Sequence, residues 1–180
     1  MRDRILSGTY ACIARSGLER TTVEDAARES GVSRATIYRW FPGGRDQLLN
    51  ETIAWQTDQF FERLAAEVAD AATFAEVVTR AIMSAHRWIA EHEVLQHLVT
   101  TEAGRLVPAI TAEMRRLVPE IGHFVEPYLV REGVADPGAS GEYVARVVVS
   151  HIGSPGRWDL DDPAQVAELV RTEILAGILV

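Results

Sequence analysis

Two short apolar-periodic stretches on either side of Ser30-Gly31-Val32 constrain this chain more than any other feature. The first opens with Thr21-Thr22-Val23-Glu24. There Thr21 and Glu24 have the spacing of a capping box, in which a hydroxyl and a carboxylate three residues apart each satisfy a backbone N–H of the other. The second opens with Ser33 as N-cap and closes at Phe41-Pro42-Gly43-Gly44. Each is shorter than the roughly 12–15 residues that an isolated helix needs in water, so each must be held by packing. Ala26 and Ala27 are small where two helices would cross. Gly31 admits a left-handed turn that other residues disfavour. Val32 and Ile37 are the apolar pins. The spacing predicts a helix-turn-helix.

Outward residues of the second stretch are then Arg34, Ala35, Thr36, Tyr38, Arg39 and Trp40. Arginine can pair bidentately with guanine, and Ala or a Thr methyl can touch the thymine methyl group. Tyr, Thr and Trp carry donors for phosphates, which set register rather than sequence. Two amphipathic helices of an ordinary bundle would also show caps and a central glycine. They would not account for Tyr and Trp beside two arginines on an outer face.

The remaining chain reads as helical, with no period-2 runs closed by hairpin turns. Helices are expected at 2–15, stopped by Gly17, then at 21–30, 33–41, 45–69, 73–90, 94–101, 107–132, 140–152 and from 162 onward. Leu48, Leu49, Ile53, Phe60, Phe61 and Leu64 mark the inner stripe of the fourth. Pro119 and Pro127 predict a kink or break in the seventh. Asp162 and Pro163 read as N-cap and first helical residue of the ninth. The expected fold is all-α: a three-helix helix-turn-helix head over 1–46, then a larger helical body over 47–180, about nine helices together.

The run Thr21-Thr22-Val23-Glu24-Asp25-Ala26-Ala27, then Gly31-Val32-Ser33, then Thr36-Ile37-Tyr38-Arg39-Trp40-Phe41-Pro42 resembles the DNA-binding head of the TetR family of transcriptional regulators. The resemblance covers about residues 5–50. It implies a homodimeric, all-helical repressor with a divergent ligand-binding body, released from a palindromic operator by a small molecule. It implies base contacts at Arg34, Ala35, Thr36 and Arg39, and phosphate contacts at Thr22, Tyr38, Trp40 and the basic residue opening the fourth helix. In the family that residue comes two positions after the proline. Here Gly43-Gly44 inserts one more, and Arg45 takes the role.

Charge distribution agrees with a DNA-binding head. The net charge of the 180 residues is −8, yet residues 1–49 hold eight arginines against six acids. A weakly basic head on an acidic body can bind DNA, because the charge at the contact surface matters most. With one cysteine, Cys12, no intrachain disulfide can form, and a cytoplasmic setting is expected. No signal peptide and no membrane span are legible. The five histidines, His86, His92, His97, His123 and His151, lack ligand spacing, so no metal and no cofactor are expected. Nucleophile-elbow, phosphate-loop and dinucleotide signatures are also missing, so the chain is not read as an enzyme. The competing reading is a helical enzyme or binding protein whose head is only structural.

The last two helices carry more apolar residues than one inner face needs: Tyr143, Val144, Val147, Val148 and Ile152, then Val166, Leu169, Val170, Ile174, Ile178 and Leu179. Two arrangements answer this, a monomer core or a four-helix dimer interface; the homodimer through helices eight and nine is the expectation. An apolar effector pocket is expected among Trp55, Phe61, Met83, His86, Trp88, Leu98, Met114, Phe124 and Tyr128.

Overall fold

The computed structural model describes residues 1–92 and 103–178, with the side chains of 103–115 left aside. The regular elements so described are all helical: α1 Arg2–Arg20, α2 Val23–Ser30, α3 Arg34–Trp40, α4 Gly44–Val68, α5 Phe74–Glu91, α6 Ala103–Arg131, α7 Pro137–Gly153 and α8 Pro163–Leu169. A π turn, Val170–Ile174, and a 3₁₀ turn, Leu175–Gly177, follow α8, so the last helix changes its winding where one regular helix is expected. The helix expected at 94–101 lies outside the described residues.

Several boundaries move for physical reasons. Helical turns resume beyond Gly17, which sits at φ 80° and breaks α1 without ending it. The capping box is Thr22 with Asp25, one residue along from the expected Thr21 with Glu24. Thr21 is buried, and its hydroxyl donates back to the Gly17 carbonyl at 2.8 Å, so it cannot cap α2. α6 runs unbroken through Pro119 and Pro127 where a kink or break is expected. Asp136 caps α7 with Pro137 in its first turn, and Asp162 caps α8 with Pro163 in the same place.

The chain divides into two compact units. The first holds residues 1–63 together with His92; the second holds 64–91 and the described residues from 103 onward. The division falls inside α4, past the boundary expected at 46, because Leu48 and Trp55 of α4 belong with the first core. That core is Ile5, Leu6, Val23, Ala26, Ala27, Ile37, Phe41 and Leu48. Ile53, expected on the inner stripe of α4, is 37% exposed. Cys12 is buried in this unit, and burial pushes its thiol pKa up, as suits an inert core residue.

The second core gathers Phe74, Val78 and Ile82 of α5, Val125 and Leu129 of α6, Val144 and Val148 of α7, and Val166, Leu169, Val170 and Ile174 at the end of the chain. α6 and α7 cross so closely that a Cβ on Gly141 would meet the Gly122 carbonyl oxygen at 2.9 Å. Val144, Val148, Val166, Leu169, Val170 and Ile174 are all buried within one chain, Ile174 at 0% exposure, so they belong to its own core. Tyr143 is exposed, and Val147, Ile152 and Ile178 are half-buried; Leu179 lies outside the described residues.

Candidate nucleic-acid interface

α2 begins on a reciprocal cap. The Asp25 N–H donates to Thr22 Oγ1 at 3.1 Å, and the Thr22 N–H donates to Asp25 Oδ2 at 3.3 Å. The Thr22 hydroxyl also donates to Asp25 Oδ2 at 2.6 Å, and this bond is the main reason the Asp25 carboxyl lies below its ordinary pKa. Gly31 ends α2 in the left-handed region, φ 62° and ψ 39°, which permits the Val32 N–H to donate to the Ala27 carbonyl at 3.0 Å. A side chain there would meet open space, so Gly31 is required by conformation and not by crowding.

Ser33 then caps α3. Its Oγ accepts from the Thr36 N–H at 3.1 Å and lies 2.9 Å from Thr36 Oγ1. α3 is seven residues long and has one buried residue, Ile37, at 0% exposure. Phe41, also 0% exposed, closes the helix from behind. With one anchor and one closing ring, the other positions turn outward. Arg34, Ala35, Tyr38, Arg39 and Trp40 are exposed, and Thr36 is half-buried. Because the Thr36 hydroxyl is engaged with Ser33, its methyl is the part available for an apolar contact.

The two arginines of this face differ. Arg34 Nη1 forms an ion pair with Glu24 Oε1 of α2 at 2.7 Å, with both side chains more than half exposed. Arg39 has no ion-pair partner among the described residues. The sequence does not single out the Arg34–Glu24 pair, since no local pattern marks two residues ten apart across a turn. Thr22 is exposed at the start of α2, so six of the expected contact residues lie on α3 and one at the cap of α2. Arg45 departs from them. Its Nε donates to the Thr21 carbonyl at 2.8 Å, and its Nη2 donates to the carbonyls of Leu18 at 2.5 Å and Glu19 at 2.9 Å. The phosphate role implied for it meets a guanidinium already engaged by backbone.

The expected pocket residues do not form one group. Trp55 packs against the head core, and Phe61 stacks edge-on with Phe60 at 5.4 Å in the first unit. Met83, Phe124 and Tyr128 pack against the core of the second. His86 lies 3.8 Å from Asp161, and Trp88 is half-buried. Leu98 and the side chain of Met114 lie outside the described residues. Tyr128 lines a water-sized cavity of about 10 Å³ with Phe74 and Glu132. A larger, mostly apolar groove of about 400 Å³ runs between α5 and the end of the chain, along Ala75, Thr79, Ala167 and Leu175. None of the seven expected pocket residues whose side chains are described lines it.

Residues 5–52 match the family described as bacterial regulatory proteins, tetR family. An uncharacterized HTH-type transcriptional regulator of Mycobacterium tuberculosis is 26% identical over 171 residues, 93% of this chain and 82% of its own length. Among solved structures, the TetR family repressor AlkX from Dietzia sp., implicated in biodegradation of n-alkanes, is similar with a TM-score of 0.61 at 20% identity, covering 99% of this chain and 97% of that one. The regulator FadR from Bacillus subtilis in complex with stearoyl-CoA has a TM-score of 0.58 at 19% identity, covering 97% of this chain and 100% of that one. Among the described residues no helix is long and apolar enough to cross a membrane.

Proposed function

The chain belongs to the tetR family of bacterial regulatory proteins, helix-turn-helix transcriptional regulators rather than enzymes, and on that premise we propose that it is a repressor that binds a two-fold operator as a homodimer and is released by a small, mainly apolar effector. The outer face of α3 carries this reading. A seven-residue helix held by Ile37 alone turns two arginines, an alanine, a tyrosine and a tryptophan to solvent. Arg34, Ala35, Thr36 and Arg39 read bases in the major groove, while Thr22, Tyr38 and Trp40 hold phosphates on either side.

A dimer sets two such helices about one turn of DNA apart and matches a palindromic site. The partner contact uses the outward residues of α7 and α8, such as Tyr143, Ala164 and Ala167, since the apolar residues behind them belong to the chain's own core. The effector site lies in the second unit by Met83, His86, Phe124 and Tyr128, where the described residues leave only a water-sized cavity beside Tyr128, so a ligand must open the space it occupies. FadR of Bacillus subtilis holds stearoyl-CoA, and an acyl chain with a polar end suits such a lining. α4 belongs to both units, so a ligand that binds better to one placement of its far end shifts the DNA-competent population. About 100-fold preference corresponds to about 2.7 kcal/mol of coupling.

A mobility shift on the DNA upstream of the chain's own gene tests the first half. Specific retardation at salt concentrations that remove random duplex supports it, and equal affinity for both duplexes overturns it. A thermal-shift series with acyl-CoA esters and free fatty acids tests the second half. A compound that raises the unfolding temperature yet leaves operator affinity unchanged overturns the release mechanism.

A further inference from the structure

We propose that Arg45 is a positioning residue, which locks the first turn of α4 to the end of α1 and so fixes the placement of α2 and α3, instead of gripping a phosphate. Its effect on DNA binding rests on the operator-binding reading above; its geometry does not.

A helix leaves its last C=O groups without intrahelical partners, and Gly17 makes that problem worse by breaking α1 one turn early. The chain collects these oxygens one by one. Ser16 O accepts from Arg20 Nε at 3.0 Å, and Gly17 O accepts from the Thr21 hydroxyl at 2.8 Å. Arg45 donates to three further carbonyls at this end, those of Leu18 and Glu19 through Nη2 and that of Thr21 through Nε. Only a guanidinium has enough donors in one rigid plane to span such a set. Its positive charge also suits the negative end of a helix. The remaining nitrogen, Nη1, lies 3.5 Å from Asp46 Oδ1.

The two glycines explain why this side chain arrives here. Gly44 starts α4 with φ +69°, and Arg45 stands one residue further along than the resemblance to TetR heads implies. One residue turns a side chain by about 100° around a helix axis, enough to carry it off the face where a phosphate-binding residue would stand. Thr21, whose carbonyl Arg45 holds, directly precedes Thr22, the N-cap of α2. One guanidinium on α4 therefore grips the residue from which the helix-turn-helix begins, and a shift of the first turn of α4 is passed to the reading head through these bonds.

The test compares the full-length protein with Arg45→Ala and Arg45→Lys. Affinity is measured across a salt series on a duplex from upstream of the gene and on a scrambled duplex of the same composition. Amide hydrogen exchange of residues 17–22 is measured on the free proteins. Both variants are expected to lose about tenfold or more in affinity for the upstream duplex, because a lost set of bonds to a charged group is costly. Lys keeps the charge but lacks the fork. The salt slope should match wild type in both, and exchange at 17–22 should quicken in both. Wild-type affinity in Arg45→Lys, or a slope reduced by about one per subunit in Arg45→Ala, is the signature of a phosphate contact and overturns the proposal. Should the wild-type protein retard neither duplex, the operator reading fails, and exchange still decides the role of Arg45: unchanged protection in both variants overturns it.

Discussion

α3 and α8 are both seven residues long, both start on a side-chain cap, and the chain uses them in opposite ways. α3 buries Ile37 and presents nearly everything else. α8 buries Val166 and Leu169, and its continuation buries Val170 and Ile174. Neither could persist alone in water at this length. The difference teaches that a cap starts a short helix but tertiary contacts decide which of its faces is spare. In α3 the spare face is arginine and aromatic and can carry recognition. In α8 the deep face is aliphatic, and the small outer residues Ala164 and Ala167 carry little chemistry of their own.

The comparison breaks most visibly at the anchors. Ile37→Ala and Ile174→Ala should each cost about 2–5 kcal/mol, the range for emptying a filled core position. Thermal unfolding checks both. At a temperature where both variants remain folded, Ile37→Ala should abolish operator retardation, because α3 has no second buried anchor. Ile174→Ala should retain it. Retardation by Ile37→Ala at wild-type strength would mean that α3 is held by something other than its one core residue.

The outer face of α3 offers a second, smaller test. Arg39→Ala should weaken operator binding by about 1–3 kcal/mol if its contact is bidentate to guanine, with little change on random duplex. If Arg34 contacts DNA as proposed, it must first leave its partner Glu24, and Glu24→Gln should then strengthen binding to random duplex by well under 1 kcal/mol, the scale of an exposed ion pair. Titrations on the two duplexes separate these effects.

Caps sharpen the comparison at lower energy. Thr22→Ala should cost the head about 1 kcal/mol. Asp25 has a folded pKa below its ordinary value near 3.8, so the stability it contributes is fully present above that value and is lost as the pH falls through the folded one. Acid unfolding of Thr22→Ala should therefore lose part of the wild-type pH dependence in that range, read by circular dichroism.

The smallest expected effect lies at His92, whose Nε2 is 2.7 Å from the Tyr10 hydroxyl of α1. Burial is the main cause that holds its pKa below the ordinary 6.5. The unfolded chain then takes up a proton first, so stability should decline as the pH falls below about 6.5. His92→Gln should flatten that decline, measured as unfolding temperature between about pH 7 and 5. An unaltered slope would remove His92 from the acid response.

Much of the first unit was legible because its determinants are local. Gly31, Ser33, Ile37 and the outward set of α3 follow from periodicity and caps within a few residues of one another, and the structure keeps them where the pattern puts them. The capping box slipped by one because Thr21 and Thr22 look alike in sequence. Only packing showed that Thr21 is buried and bonded to Gly17. The second unit was legible as helices but not as an arrangement. Val148 and Ile174 have the same apolar character whether they face a partner or their own core, and periodicity names a face without naming what covers it.

What the sequence determined by itself is therefore the helical class, the turn at Gly31 and the chemistry displayed by α3, since each depends on backbone preference and side-chain type over a short span. What only the tertiary structure decided is the company each side chain keeps: Arg34 with Glu24, Arg45 on three carbonyls of the α1 end, and Val148 and Ile174 inside their own chain. Those pairings join residues far apart along the chain, and their energies exist only once packing has brought the partners together.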